Sequence, residues 1–197
     1  MTEASFFSCC RESPLPGAAE GEPGPFLSTV ERGTVPAEVY RGPEVLGLVL
    51  LPPTRRIAIH EAGHACGRIA LGGKVISATV ELQPHVKFDN AHHDAMGIVS
   101  TLTGPAAEQW MSSRVSRIPD DELGPWVIAI RDLRGGHCDR CSAVRSTICA
   151  TRHAPDDVVV AEFRRLESIA GIIVRLPPVW AAIQEVADRL MIGGTLD

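Results

Sequence analysis

The run His60-Glu61-Ala62-Gly63-His64 constrains this chain more than any other feature of its sequence. Residues four apart on a helix lie one turn apart on the same face, so two imidazoles at this spacing can bind one metal ion. The carboxylate of Glu61 lies beside that face, where it can accept a proton from water. The pattern therefore predicts a helix with His60 and His64 as zinc ligands and Glu61 as a general base.

The residues around this run also favour a helix. Pro52-Pro53 precedes Thr54, a candidate N-cap, and apolar residues then recur at helical spacing as far as Gly72-Gly73. A glycine inside a helix costs about 1 kcal/mol relative to alanine. Gly63 therefore indicates a close approach by backbone, metal or substrate. The alternative is a helix whose two histidines and glutamate share no function.

Composition narrows the class of protein. A length of 197 residues and a formal net charge of −5 fit one globular domain plus a tail. The sequence has no run of basic residues of the kind that binds nucleic acid, and no apolar run of the ~18 residues that a membrane span needs. Without a secretion signal, the sequence predicts a cytoplasmic protein whose six cysteines are reduced thiols.

The distribution of residues along the chain predicts a mainly α domain. Residues 1–43 are rich in Pro and Gly and are predicted to form a flexible N-terminal tail, with residues 44–197 as the folded domain. The short apolar run Leu46 to Leu51 fits a buried strand, and the β-branched residues 75–82 predict a small β-hairpin or sheet. Helices are expected at 97–111, 126–133, 139–151, 156–175 and 179–191, with a loop at 112–121.

A catalytic zinc site needs a third protein ligand and one open position. No histidine follows His64 closely enough to supply that ligand from the same helix. The residues that remain are two acidic side chains and the histidines of one polar loop. They are Glu108, Asp139, His85, His92 and His93.

The stretch from Arg55 to Ala65 resembles the zinc-helix signature of the FtsH-type peptidase domain. That family follows it with an Ala-Ala-Glu sequence, to which Leu102 to Glu108 is similar, and with an aspartate that opens a helix after a Gly-rich turn. Asp139 occupies the equivalent place. The resemblance runs from about residue 53 to the end and implies Asp139 as third zinc ligand. For Glu108 two roles stay open: it could supply the third ligand itself, as a loop histidine also could, or it could orient a zinc-bound histidine.

The resemblance implies a zinc-dependent endopeptidase standing alone, because no GxxxxGK[ST] phosphate loop or ATPase module is present. Its expected substrates are peptides or unfolded segments, bound by strand addition at residues 75–82 or delivered by a separate ATPase. The family forms hexameric rings, but because the ATPase module is missing that assembly is not expected as such, and a homo-oligomer stays an open alternative. Two other functions stay open: a zinc-binding regulatory module without turnover, and a zinc hydrolase of a non-peptide amide.

The cysteines allow one other metal site. Cys138 and Cys141 have the spacing of a zinc knuckle, which Cys149 and His153 could complete. Because residues 141, 145, 149 and 153 are predicted to share one helix, buried or exposed thiols are the favoured interpretation. Cys66 is expected to be a core residue, as free cysteines often are.

Overall fold

The computed structural model of the protein describes residues 54–81, 83–89, 94–112, 118–132, 136 and 138–197. The predictions for the tail 1–43 and the apolar run 46–51 lie outside these residues. The described part has six helices and a small antiparallel sheet, which confirms the predicted mainly α fold. The elements are α1 Arg55–Ala70, β1 Val75–Thr79, β2 His85–Phe88, α2 Ala95–Met111, α3 Asp120–Arg131, α4 Asp139–Ala150, α5 Asp156–Arg175, α6 Pro177–Gly193 and β3 Thr195–Leu196.

Helix α1 begins and ends where the sequence predicts. The side chain of Thr54 accepts a hydrogen bond from the backbone N–H of Ile57 at 3.3 Å, which satisfies one of the free donors of the first turn. Gly72 follows the last turn with a φ of +81°, a conformation that favours glycine over residues with a side chain. The helix that carries His60, Glu61 and His64 is therefore fixed by local sequence at both ends.

The start of α3 differs most from the prediction. Helix α3 begins at Asp120, inside the expected loop, and continues through Pro125. Its first turn carries three acidic residues, which the positive end of the helix dipole favours. Helix α5 has the predicted bounds, with Asp156 and Asp157 in its first turn and Pro155 as the N-cap residue.

The last helix was predicted to begin at residue 179, but Pro177 and Pro178 form the first turn of α6. Proline is tolerated there because the first N–H groups of a helix have no partner inside it.

Among the described residues, no single helix is both long and apolar enough to cross a membrane. Taken together, α5 and α6 meet the criteria of length and composition, although the pair is bent by 77°.

The sheet has the strand order β2-β1-β3, and both pairings are antiparallel. Thr79 of β1 lies opposite His85 on one side and Thr195 on the other. The strand predicted at 75–82 ends at Thr79 and has partners on both sides there, so substrate addition to this strand, as expected from the sequence, does not fit its position. Strand β2 has a pairing on one side only among the described residues.

Arg68 joins the β1–β2 hairpin to the last turn of α1. The residue is buried, its guanidinium carbon lies 5.6 Å from the centre of the Phe88 ring, and a guanidinium nitrogen lies 3.6 Å from an Asp89 carboxylate oxygen. These cation–π and ionic contacts stabilise the hairpin against the helix. One face of α1 therefore carries both the candidate metal ligands and the anchor of the neighbouring β2 strand.

The core has two parts, and α2 contributes to both. The first surrounds Trp126 and Phe163, whose rings meet edge to face with centroids 6.0 Å apart. The second lies between α1, the sheet and α6 and contains Ile59 and Cys66. Burial raises the pKa of the Cys66 thiol to about 11, as expected for a structural cysteine. The predicted core position of Cys66 is confirmed.

Helices α1 and α2 approach closely because glycines face the contact. A Cβ atom on Gly63 would lie 2.7 Å from the Cβ of Ala107 and 2.7 Å from the carbonyl oxygen of Thr103. One turn further on, a Cβ on Gly67 would lie 2.6 Å from the Cβ of Thr103. All three distances are well below van der Waals contact. The close approach predicted from Gly63 is therefore one between α1 and α2.

We expect Gly67→Ala to lower the free energy of unfolding by about 1–3 kcal/mol, because Thr103 is buried and has no room to yield to the added methyl group. The matched control is Gly171→Ala in α5, where an added Cβ has no atom within 4 Å. That control should gain roughly 0.5–1 kcal/mol from helix propensity. Urea unfolding measures both, and equal stability of the two variants would contradict the packing role of Gly67.

Candidate metal centre

The side chains of His60, His64 and Asp139 converge on one point. Helix α1 supplies both histidines from successive turns, and Asp139 is the first residue of α4. The Nε2 atoms of the two histidines lie 3.2 Å apart. One carboxylate oxygen of Asp139 lies 2.7 Å from Nε2 of His60 and 3.3 Å from Nε2 of His64. The structure thus brings together the three residues that the sequence predicts as ligands.

These distances fit a tetrahedral metal site. Donors about 2.0–2.1 Å from a zinc ion at tetrahedral angles lie about 3.3–3.4 Å from one another. The His60–His64 and His64–Asp139 separations of 3.2 and 3.3 Å are close to that value. For a tetrahedral ion to bind, the 2.7 Å between Nε2 of His60 and the Asp139 oxygen would have to lengthen. Two imidazole nitrogens and one carboxylate oxygen form a group that could hold a metal ion.

Hydrogen bonds on the far side of each imidazole fix its orientation. Nδ1 of His64 lies 3.0 Å from the carbonyl oxygen of Ser100, which only accepts hydrogen bonds, so Nδ1 carries the hydrogen. Nδ1 of His60 donates in the same way to a carboxylate oxygen of Glu108 at 2.9 Å. In each neutral ring the Nε2 lone pair then faces the other ligands, which is the tautomer that metal binding requires.

Glu108 lies on the side of His60 opposite Asp139. One of its carboxylate oxygens accepts from Nδ1 of His60, and the other accepts from Nε of Arg56. Its oxygens therefore contact a ligand and are not part of the group formed by His60, His64 and Asp139. Of the two roles predicted for Glu108, orientation of a histidine is the one that its position fits.

The other residues considered as ligands do not join this group. His85 begins β2 and donates from Nδ1 to the carbonyl oxygen of Gln83 at 2.7 Å. His92 and His93 lie outside the described residues. Across the part of the chain that the structure describes, no second set of three metal-binding side chains occurs. The side chains of Cys138, Cys141, Cys149 and His153 do not form such a group, and Cys141 belongs to the core.

Gly104 gives the His64 ring its space. A Cβ atom at this position of α2 would lie 2.7 Å from Cδ2 of His64 and closer still to Nε2, the candidate ligand atom. Sequence reasoning included Gly104 in the stretch resembling the peptidase family but gave it no role. The role of Ser100 could not be predicted either. Every residue has a carbonyl group, and the sequence does not show which carbonyl accepts the hydrogen bond of His64.

The burial of this group changes the protonation of its members. Burial alone would lower the pKa of His60, but hydrogen bonds to Asp139 and Glu108 outweigh it and raise the pKa to about 10. Burial would raise the pKa of Asp139, but the charges and hydrogen bonds of His64 and His60 hold it well below its usual range. Without an ion, His60 is therefore protonated. Its positive charge balances the nearby carboxylates, as the charge of a bound metal ion would.

Glu61 is buried beside the group, between the two histidines in sequence. Burial raises the pKa of its carboxyl, and the nearby charges of His64 and His60 oppose that rise. Desolvation makes a carboxylate a stronger proton acceptor than it is in water. The arrangement thus combines a candidate metal site with one adjacent base.

Comparison with known proteins gives no match to a model of a protein family, to a curated protein or to a solved structure. The resemblance to the FtsH-type peptidase domain therefore stays a prediction from its motif residues. What is established without it is the geometry of His60, His64 and Asp139 in a mainly α fold.

We expect Gly104→Ala to abolish tight metal binding, because the added Cβ would occupy the space of the His64 ring. Gly124→Ala is the matched control, since a Cβ added there, in helix α3, meets no atom within 4 Å. Zinc content after dialysis, measured by mass spectrometry, checks the prediction. A folded Gly104→Ala protein that keeps the wild-type zinc content would contradict it.

Metal binding should release a proton. The pKa of His60 lies near 10 in the ion-free protein, above the ordinary value of 6.5, so the ring is protonated at pH 7 and must lose that proton to bind a metal. Displacement of one proton makes the affinity rise about tenfold per pH unit between about pH 6.5 and 8.5. Calorimetry in buffers of different ionisation enthalpy measures the release. An affinity independent of pH in this range would contradict the assignment.

Proposed function

We propose that this protein is a zinc-dependent endopeptidase that hydrolyses peptide bonds in peptides or unfolded segments. The observation that carries the proposal is the convergence of Nε2 of His60, Nε2 of His64 and a carboxylate oxygen of Asp139, with each imidazole oriented from behind. Three protein ligands leave one position of a tetrahedral ion open, as in catalytic rather than structural zinc sites.

The donor set supports zinc as the metal. Two imidazoles and one carboxylate suit a borderline ion that accepts nitrogen and oxygen ligands in tetrahedral geometry. Bound there, zinc would lower the pKa of a coordinated water toward ~7 and polarise the carbonyl group under attack. The ligands are His60, His64 and Asp139, and Glu108 and the Ser100 carbonyl hold the two imidazoles in place.

Glu61 is the base in this proposal. Its carboxylate accepts a proton from the attacking water and returns it to the nitrogen of the leaving amine, so that one water is consumed and one acid and one amine are formed. Burial favours this exchange, because the raised pKa of Glu61 brings its proton affinity closer to that required near neutral pH.

The sheet supports an extended substrate. Strand β2 has one partner among the described residues, and its first residue, His85, lies within electrostatic range of Glu61. An extended peptide could pair with β2 through main-chain hydrogen bonds that do not depend on its sequence. Such binding fits peptides and unfolded segments. A separate ATPase and a homo-oligomer stay predictions of the family resemblance.

The decisive experiment separates zinc binding from turnover. We expect Glu61→Gln to keep its zinc but to cleave casein about 100- to 10,000-fold more slowly than wild type, because the amide cannot accept the proton. Glu162→Gln, an exchange of a glutamate in α5 far along the chain from the site, is the control. Asp139→Ala should lose zinc and activity together.

Turnover that survives Glu61→Gln would sink the proposed mechanism. A wild-type protein that binds zinc but cleaves neither casein nor unfolded peptides would show a zinc-binding module without peptidase activity. Zinc content of Asp139→Ala equal to that of wild type would move the third ligand elsewhere.

A further inference from the structure

The carboxylate of Glu108 has a second partner that the proposed function does not explain. Nε of Arg56 donates to one of its oxygens, while Nδ1 of His60 donates to the other at 2.9 Å. We propose that Arg56 is a positioning residue of the metal site, which acts through Glu108 to fix the His60 ring. This inference rests on the zinc-binding part of the proposed function and does not depend on the reaction.

The spacing of the two donors on α1 supports this role. Arg56 and His60 are four residues apart and lie one turn apart on the same face of the helix. Glu108, in the last turn of α2, places one carboxylate oxygen against each of them. The carboxylate is therefore held at both oxygens by one rigid element, the same helix that carries the ligand.

Loss of one of these contacts would loosen the other. The terminal torsion of a glutamate has a broad, roughly two-fold energy profile, so a single hydrogen bond leaves the carboxylate free to rotate. The Glu108 side chain is only 10 % exposed, so water replaces Arg56 poorly as a partner. A carboxylate turned away from Nδ1 would no longer hold Nε2 of His60 toward Asp139, which lies 2.7 Å away.

Arg55 is a natural control within the same turn. Its side chain is 51 % exposed, against 47 % for Arg56, and like Arg56 it pairs with a carboxylate. That partner is Asp188 of α6, which belongs to a different helix from Glu108 and is not part of the group formed by His60, His64 and Asp139. The two arginines thus share residue type, helix position and exposure, and differ in what they contact.

Arg56 could also act only as a link between the start of α1 and the end of α2. A link of that kind contributes to stability, and its loss lowers the unfolding midpoint of the zinc-free protein without changing the coordination of a bound ion. If Arg56 positions the His60 ring, its loss weakens metal binding and alters the ligand field of the bound ion, while the fold stays unchanged. The affinity and the spectrum of the bound ion therefore separate the two roles.

The experiment compares Arg56→Gln, Arg56→Lys and Arg55→Gln with wild type, using Zn²⁺ competition against a chromophoric chelator and the visible absorption spectrum of bound Co²⁺. We expect Arg56→Gln to bind zinc about three- to tenfold more weakly than wild type. Removal of a direct partner of a ligand typically costs about 10–100-fold, and Arg56 acts one residue further away. The Co²⁺ spectrum of Arg56→Gln should shift. Arg56→Lys, which keeps the charge, should recover part of the affinity, and Arg55→Gln should match wild type.

A double-mutant cycle with Glu108→Gln tests the route of the effect. If Arg56 acts through Glu108, Arg56→Gln should have no further effect on zinc affinity in the Glu108→Gln background. Additive losses, or equal losses in Arg55→Gln and Arg56→Gln, would overturn the proposal. If Arg56→Gln does not fold, Arg56→Lys takes its place in the cycle. A wild-type protein that binds neither ion refutes the proposed function as well, whereas a wild-type protein that binds zinc as tightly as Arg56→Gln refutes only this inference.

Discussion

The close approach of α1 and α2 is the constraint on which the rest of the structure depends. Gly63 and Gly67 lie on one face of α1, and Gly104 lies on the facing surface of α2. Without side chains at these positions, the backbone of α2 comes near enough for the Ser100 carbonyl to reach His64 and for Glu108 to reach His60. The packing that stabilises the fold is therefore also what orients both imidazoles, so the fold and the site have one physical origin.

The charges of the site are arranged in layers around the two imidazoles. Asp139 lies on the side of the candidate ion and Glu61 interacts with the charges of both histidines, while Glu108 lies behind His60 with Arg56 beyond it. A buried group of carboxylates would repel itself in the absence of positive charge. The raised pKa of His60 in the ion-free protein is the consequence, because a protonated imidazole supplies that charge. The negative charge of the site thus favours a bound cation, and His60, His64 and Asp139 provide the donor atoms.

Local sequence was sufficient to predict the helix that carries His60 and His64, because the cap at Thr54 and the spacing of four residues are short-range properties. The sequence predicted a loop at 112–121 and a helix only from Trp126, whereas α3 begins at Asp120, where three acidic residues favour a helix start. Asp139 came from a family resemblance, since no local pattern relates it to α1. The roles of Ser100 and Gly104 depend on how two helices meet, which single-residue properties do not encode.

The ligands of this site are far apart along the chain, since His64 and Asp139 are separated by 75 positions in the sequence. An ion bound by both would act as a cross-link between two distant helices, closing a long loop that an unfolded chain leaves open. Its binding energy would then belong to the tertiary structure rather than to any single helix. A bound ion would thus indicate that α1, α2 and α4 are packed together. A chain that had lost only its tertiary packing would release the ion while its helices were still folded.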